Sequence, residues 1–357
     1  MAAYSVPPSE MLLSKRVQEM VLHGEEPLGP YVCRSGEDND EKEDIMDTSR
    51  IPIIDLNLLS SSTTSDNERE EELEKLESGI GHGIQTSFLD KIHQVSREFF
   101  KQPMEEKNKY AKSVDDFQGY GADPVPEQGQ SLDWSDRLFL EVFPEDRREY
   151  NLWPQIPISF REVLEDYSEK MKMVAEITSK AMAKSLKLEE NCFLEQFGKQ
   201  AQFHARFNYY SPCQRPDLVL GLKPHADGTG YSIILQDEVG LQVLNYGKWY
   251  TVPKDPTALF VLMGDQMEVH KHSVIKRYKK NCNGIFKGLV HRVVSNSERD
   301  RISVAMFYTP EIGREIGPED DLVNMDRPRI YKKVTDYAET HWKFYQRGLR
   351  ALHTAHI

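Results

Sequence analysis

Leu222-Lys-Pro-His-Ala-Asp-Gly-Thr-Gly-Tyr-Ser-Ile-Ile-Leu235 is a turn-rich loop that runs into a short apolar segment. Residues 231–235 are β-branched, aromatic and aliphatic, which suits a strand in a buried sheet. Further segments of this kind lie on both sides, at 205–209, 241–244, 249–252, 258–263, 290–294 and 301–308. Each is short and punctuated by Gly, Pro or Asp, so the spacing predicts an antiparallel barrel or jelly roll.

Before residue 203 the period is helical. A short helix is expected around 10–22, followed by the acidic run 35–44, which reads as a solvated loop. Residues 51–56 read as a first strand and 68–78 as a charged helix. Phe88, Leu89, Ile92, Val95 and Phe99 recur at helical spacing, ending near Pro103. After Pro154, Ser159 and Glu162 have the spacing of a capping box. A buried stripe then runs from Phe160 to Ile177, with its methionines read as core filler. A last helix is expected over about 331–348. The fold class is therefore α+β, a jelly-roll core with an N-terminal helical region and a C-terminal helix. The expected divisions are an N-terminal extension (1–50), a mainly helical region (51–195), the jelly-roll core (196–310) and a C-terminal helical segment (311–357).

The same strands carry a metal pattern. His225 and Asp227 are two residues apart, so at an extended strand end their side chains share a face. With the distant His291 they would cover one face of a divalent metal and leave positions open, the arrangement of non-haem Fe(II) oxygenases. Ten residues beyond His291, Arg301 and Ser303 alternate on a predicted strand. A guanidinium and a hydroxyl on one face can hold a carboxylate by a bidentate pair and a hydrogen bond.

The chain has 357 residues, enough for one large catalytic domain, and a formal net charge of -13, which argues against nucleic acid and anionic membrane surfaces. No apolar run is long enough to span a bilayer, and the N-terminus lacks a basic-then-apolar signal pattern. The four cysteines are scattered without zinc-like spacing, so a reduced cytoplasmic protein, as a monomer, is expected.

Beyond the metal pattern, Asn208-Tyr-Tyr-Ser-Pro-Cys213, Gly240-Leu-Gln-Val-Leu244, Gly247-Lys-Trp-Tyr250, Gly264-Asp-Gln266 and Asn283-Gly284 complete a familiar set. From about Ile51 to Ala351 the chain resembles the plant 2-oxoglutarate- and Fe(II)-dependent dioxygenases, the group holding flavonol synthase, anthocyanidin synthase and alkaloid O-demethylases. The resemblance implies a double-stranded β-helix with Fe(II) on His225, Asp227 and His291. It further implies 2-oxoglutarate on Arg301 and Ser303, assisted by Tyr210 and Asn208. Succinate and CO2 would be released as a small plant metabolite is hydroxylated, desaturated or O-demethylated, with O2 as co-substrate and ascorbate in support. Tyr120, Phe139 and Phe307 are candidates for the substrate wall.

Two features depart from that family's pattern. A strand resembling Trp-Gly-x-Phe-Gln is reduced to Gly79-Ile80, and a basic insertion fills much of 270–282, including His270 and His272. Both suggest a splice form or an altered gene model, and the two histidines read as exposed loop residues. A catalytically impaired isoform that only binds metal or ligand, and a non-oxidative member of the norcoclaurine-synthase-like kind, are the alternative readings.

Overall fold

The computed structural model describes residues 16–27, 29–33, 44–45, 54–55, 80–81, 84–113, 116–123, 130–245, 247–271, 288–319, 323, 325 and 329–357, with backbone alone at 44–45, 54–55, 80–81 and 270–271. The expected helix at 68–78, nearly all of the acidic run and the insertion beyond 271 lie outside them.

In chain order the described elements begin with α1 (Val17–Leu22), β1 (Asp44–Ile45), β2 (Ile54–Asp55), β3 (Ile80–Gly81), α2 (Thr86–Phe100), α3 (Met104–Asn108), β4 (Gly119–Gly121) and β5 (Asp136–Phe143). Next come α4 (Phe160–Ser185), α5 (Cys192–Phe197), β6 (Gln202–Tyr210), β7 (Leu220–His225), β8 (Tyr231–Gln236), β9 (Leu241–Asn245), β10 (Lys248–Thr251) and β11 (Phe260–Met263). Last are α6 (Asp265–Lys271), β12 (His291–Val294), β13 (Arg301–Thr309), β14 (Glu315–Ile316), β15 (Val334–Thr335) and α7 (Tyr337–Tyr345). No described helix is long and apolar enough to cross a membrane.

Two sheets form the jelly roll. One has the order β11-β8-β13-β6-β5-β4 and the other β1-β10-β9-β12-β7, antiparallel throughout except that β1 runs parallel to β10. β4 and β5, from the region expected to be mainly helical, extend the larger sheet. Ile80–Gly81, at the segment expected to be shortened, pairs in parallel with Ile54–Asp55.

The apolar periods explain how the helices dock. Leu89, Ile92, Val95 and Phe99 on α2 and Phe160, Leu164, Tyr167 and Met171 on α4 are buried in one cluster with Phe203, Phe207 and Ile233 of the larger sheet. Met173 projects into solvent, so only part of the methionine-rich run fills core.

Two helix boundaries differ from expectation. Ser159 makes no side-chain cap to α4. The amide of Phe160 donates to the Pro157 carbonyl at 2.9 Å, so a backbone turn satisfies one of the first amides of the helix. Of the helix expected over 331–348 only α7 is helical, because Tyr331 bridges to His356 and β15 pairs with β14; a 3-10 turn follows at Ala351–Ala355.

Candidate functional site

β7 ends on His225 and β12 begins on His291, and the two residues are register partners. That pairing brings their rings to 4.2 Å between centroids. Asp227 follows two residues beyond the strand end. Its Oδ1 lies 3.4 Å from Nε2 of His225 and 3.6 Å from Nε2 of His291. One ligand atom from each residue falls within 4.8 Å of the others.

The surrounding hydrogen bonds prepare these atoms for a cation. Nδ1 of His225 is 2.8 Å from the Lys223 carbonyl, and Nδ1 of His291 is 3.0 Å from the Leu289 carbonyl. A carbonyl only accepts, so each Nδ1 carries the proton and each Nε2 turns its lone pair toward Asp227. The Ser232 hydroxyl donates to Asp227 Oδ2 at 2.6 Å, fixing the carboxylate and leaving Oδ1 to the shared space. Burial, then the neighbouring His225, lower the His291 pKa to about 4, so its ring is neutral at pH 7. Burial opposes the Asp227 charge, and the hydrogen bond from Ser232 favours it. Two nitrogens and one carboxylate oxygen, converging from one side, suit a divalent iron-type ion.

α7 packs across this centre. His341 Nε2 donates to the Ala226 carbonyl at 2.7 Å, and the Tyr345 ring meets His225 edge-on at 5.3 Å. A Cβ on Gly228 would collide with the His341 ring, so glycine here is a requirement of close approach.

Arg301 and Ser303 line the same cavity, of about 190 Å³. Arg301 Nε donates to the Glu238 carbonyl at 3.0 Å, Nη2 to Gln236 Oε1 at 2.8 Å and Nη1 to Ser303 Oγ at 3.3 Å. Tyr210 lies under the guanidinium at 4.9 Å, and Asn208 Nδ2 donates to Ser303 Oγ at 3.4 Å. A guanidinium has five N–H donors, so two remain, one on each terminal nitrogen, the fork that a carboxylate matches.

Phe139 and Phe307 form a wall of this cavity, stacked at 6.2 Å and 28°. Tyr120 does not join them. It is fully buried against Phe99 and Phe100, because Gly119–Gly121 lies at the sheet edge covered by α2 and α3. The sequence reading also missed Asp123, Arg137, Arg206, His341 and Trp342, all on the cavity wall. The available signal was the alternation in β5, which sets Arg137 and Phe139 on one face.

A double-stranded β-helix holding a two-histidine, one-carboxylate cluster beside an arginine–serine pair is the design of a 2-oxoglutarate-dependent oxygenase. Residues 201–310 match the profile of the 2OG-Fe(II) oxygenase superfamily, and residues 51–156 match that of the non-haem dioxygenase in morphine synthesis N-terminal region. The chain is 36% identical over 338 residues to Protein SRG1 of Arabidopsis thaliana, covering 91% of this chain and 90% of the relative. It is 34% identical over 317 residues to codeine O-demethylase of Papaver somniferum, covering 85% and 84%. The solved structure "JOX2 in complex with 2OG, Fe, and JA" superposes with a TM-score of 0.82 at 30% identity, covering 96% of this chain and 97% of that one. The chain belongs to the plant 2-oxoglutarate- and Fe(II)-dependent dioxygenases. It is an oxidoreductase of that family, for which Fe(II), 2-oxoglutarate and O2 are the characteristic cofactor and co-substrates.

Proposed function

We propose that His225, Asp227 and His291 hold Fe(II), that Arg301 and Ser303 hold the distal carboxylate of 2-oxoglutarate, and that Tyr210 and Asn208 position that pair. The observation that carries the reading is the convergence of three ligand atoms within 4.8 Å in a cavity that Arg301 also lines. The bound metal, with 2-oxoglutarate and O2, supplies hydrogen abstraction from a C–H bond, with release of succinate and CO2.

The chain's own residues do the rest. Ser232 fixes which oxygen of Asp227 is offered, and the carbonyls of Lys223 and Leu289 set the histidine tautomers. Phe139, Phe307 and Trp342 seat the substrate and exclude water. The substrate is a small aromatic plant metabolite, which is hydroxylated, desaturated or O-demethylated. A cytoplasmic setting is part of this reading, supported by the free thiols of Cys33, Cys192 and Cys213.

Metal titration tests the assignment. The wild-type chain should bind one Fe(II), and Asp227→Ala should lose both that binding and 2-oxoglutarate turnover. Wild-type metal stoichiometry and turnover in Asp227→Ala would refute it.

A further inference from the structure

Arg137 on β5 stands opposite Asn208 on β6, which stands opposite Ser303 on β13. The three therefore form one row across the sheet, with the backbones of Arg137 and Ser303 about 10 Å apart at two strand spacings. Arg137 is only 1% exposed and lines the cavity. Its Nε donates to Asp123, its Nη1 donates to the Phe117 carbonyl at 2.7 Å, and its guanidinium lies over the Phe139 ring at 5.2 Å. Its Nη2 is buried and has no hydrogen-bond partner among the described residues.

The charge around it does not balance. Asp123 is shared, because Arg206 Nη2 and Nη1 also donate to it, at 2.8 and 3.2 Å. Arg206 Nε also reaches Asn208 Oδ1 at 2.6 Å, so each of its three nitrogens has a partner. Among the described residues two guanidiniums thus face one carboxylate, and the one nitrogen of the two that has no partner is Nη2 of Arg137. The histidines facing the cavity bring no compensating negative charge, and Asp227 belongs to the metal cluster. Burial pushes the Arg137 pKa down to about 10, as expected of a cation short of counter-charge. A buried guanidinium nitrogen left without an acceptor is costly unless a ligand completes it.

We infer that Arg137 recognises a carboxylate on the substrate, so that this cavity selects an aromatic carboxylic acid, with its acid group on Arg137 and its ring against Phe139 and Phe307. This rests on the oxygenase reading above and sharpens it. Amine substrates meet a like charge, and neutral esters offer Nη2 only an uncharged carbonyl acceptor, a weaker partner than a carboxylate.

The test is calorimetric titration of the anaerobic Fe(II)- and 2-oxoglutarate-loaded chain with 3-phenylpropanoic acid, its methyl ester and 3-phenylpropylamine. A hydrogen bond to a charged group predicts that the acid binds about 10- to 100-fold more tightly than the ester, with the amine weakest. Arg137→Leu should erase the preference, and Arg137→Lys should keep part of it. The wild-type comparison of acid with ester decides the matter even if Arg137→Leu does not fold. The inference is overturned if the acid binds no tighter than its ester or not at all, if Arg137→Leu binds it as wild type does, or if the acid displaces 2-oxoglutarate. A chain that fails to bind 2-oxoglutarate overturns the oxygenase reading as well. One that binds it but shows no acid preference overturns this inference alone.

Discussion

Replacing Arg301 with Met removes both N–H donors that its own neighbours leave free. Three of the five donors are already spent on Glu238, Gln236 and Ser303, so the remaining pair is aimed by fixed contacts rather than by a mobile side chain. Hydrogen bonds to charged groups contribute about 1.5–3 kcal/mol each. Losing two should weaken 2-oxoglutarate binding by about 3–6 kcal/mol, roughly two to four orders of magnitude in Kd. Arg301→Lys keeps the charge without the fork and should fall between. Arg301 is buried, so thermal unfolding must accompany the measurement to separate lost binding from lost fold. The assay is equilibrium binding of 2-oxoglutarate to the metal-loaded chain, with the KM for 2-oxoglutarate from succinate formation as a second readout. A folded Arg301→Met protein whose 2-oxoglutarate affinity stays within threefold of wild type would refute the assignment of this fork (threefold being about 0.6 kcal/mol).

Two further outcomes concern stability. Asp123→Ala leaves the Arg137 and Arg206 guanidiniums without their shared counter-charge, and should cost about 3–5 kcal/mol in urea unfolding; a loss under about 1 kcal/mol would show that the ion cluster is not what it seems. His204 stacks on Phe139 at 5.2 Å, and burial lowers its pKa to about 4. The unfolded chain takes up its proton below about pH 6.5 and the folded chain only near pH 4, so stability falls as the pH drops through that window, by at most about 3 kcal/mol. His204→Phe should flatten this part of the pH profile relative to wild type, and an unchanged slope would contradict it.

The strands of the second half were readable because their residue types and punctuation are local properties. The cluster of His225, Asp227 and His291 and the Arg301–Ser303 pair were readable because their spacing survives in one dimension. β5 escaped notice because Arg137 and Glu141 interrupt its apolar run, and the partner that makes Arg137 tolerable, Asp123, lies on a separate segment. β7 was missed because Leu220-Gly-Leu-Lys-Pro-His225 reads as a turn, although its pairing with β12 sets the histidine geometry. The expected last helix was too long because Asp336 adopts a left-handed conformation before Tyr337, and the residues before it belong to β15. Tyr120 shows why an aromatic side chain alone does not mark a pocket: its sheet-edge position under α2 and α3, not its chemistry, decides which surface it meets.

The central claim is that the cluster of His225, Asp227 and His291 couples O2 consumption to 2-oxoglutarate decarboxylation. Simultaneous measurement of O2 uptake and succinate release after adding Fe(II) and 2-oxoglutarate tests it most directly. Equal amounts of each are predicted, both abolished by a chelator and by Asp227→Ala. Metal-loaded chain that releases no succinate, or consumes O2 without regard to 2-oxoglutarate, would contradict the account.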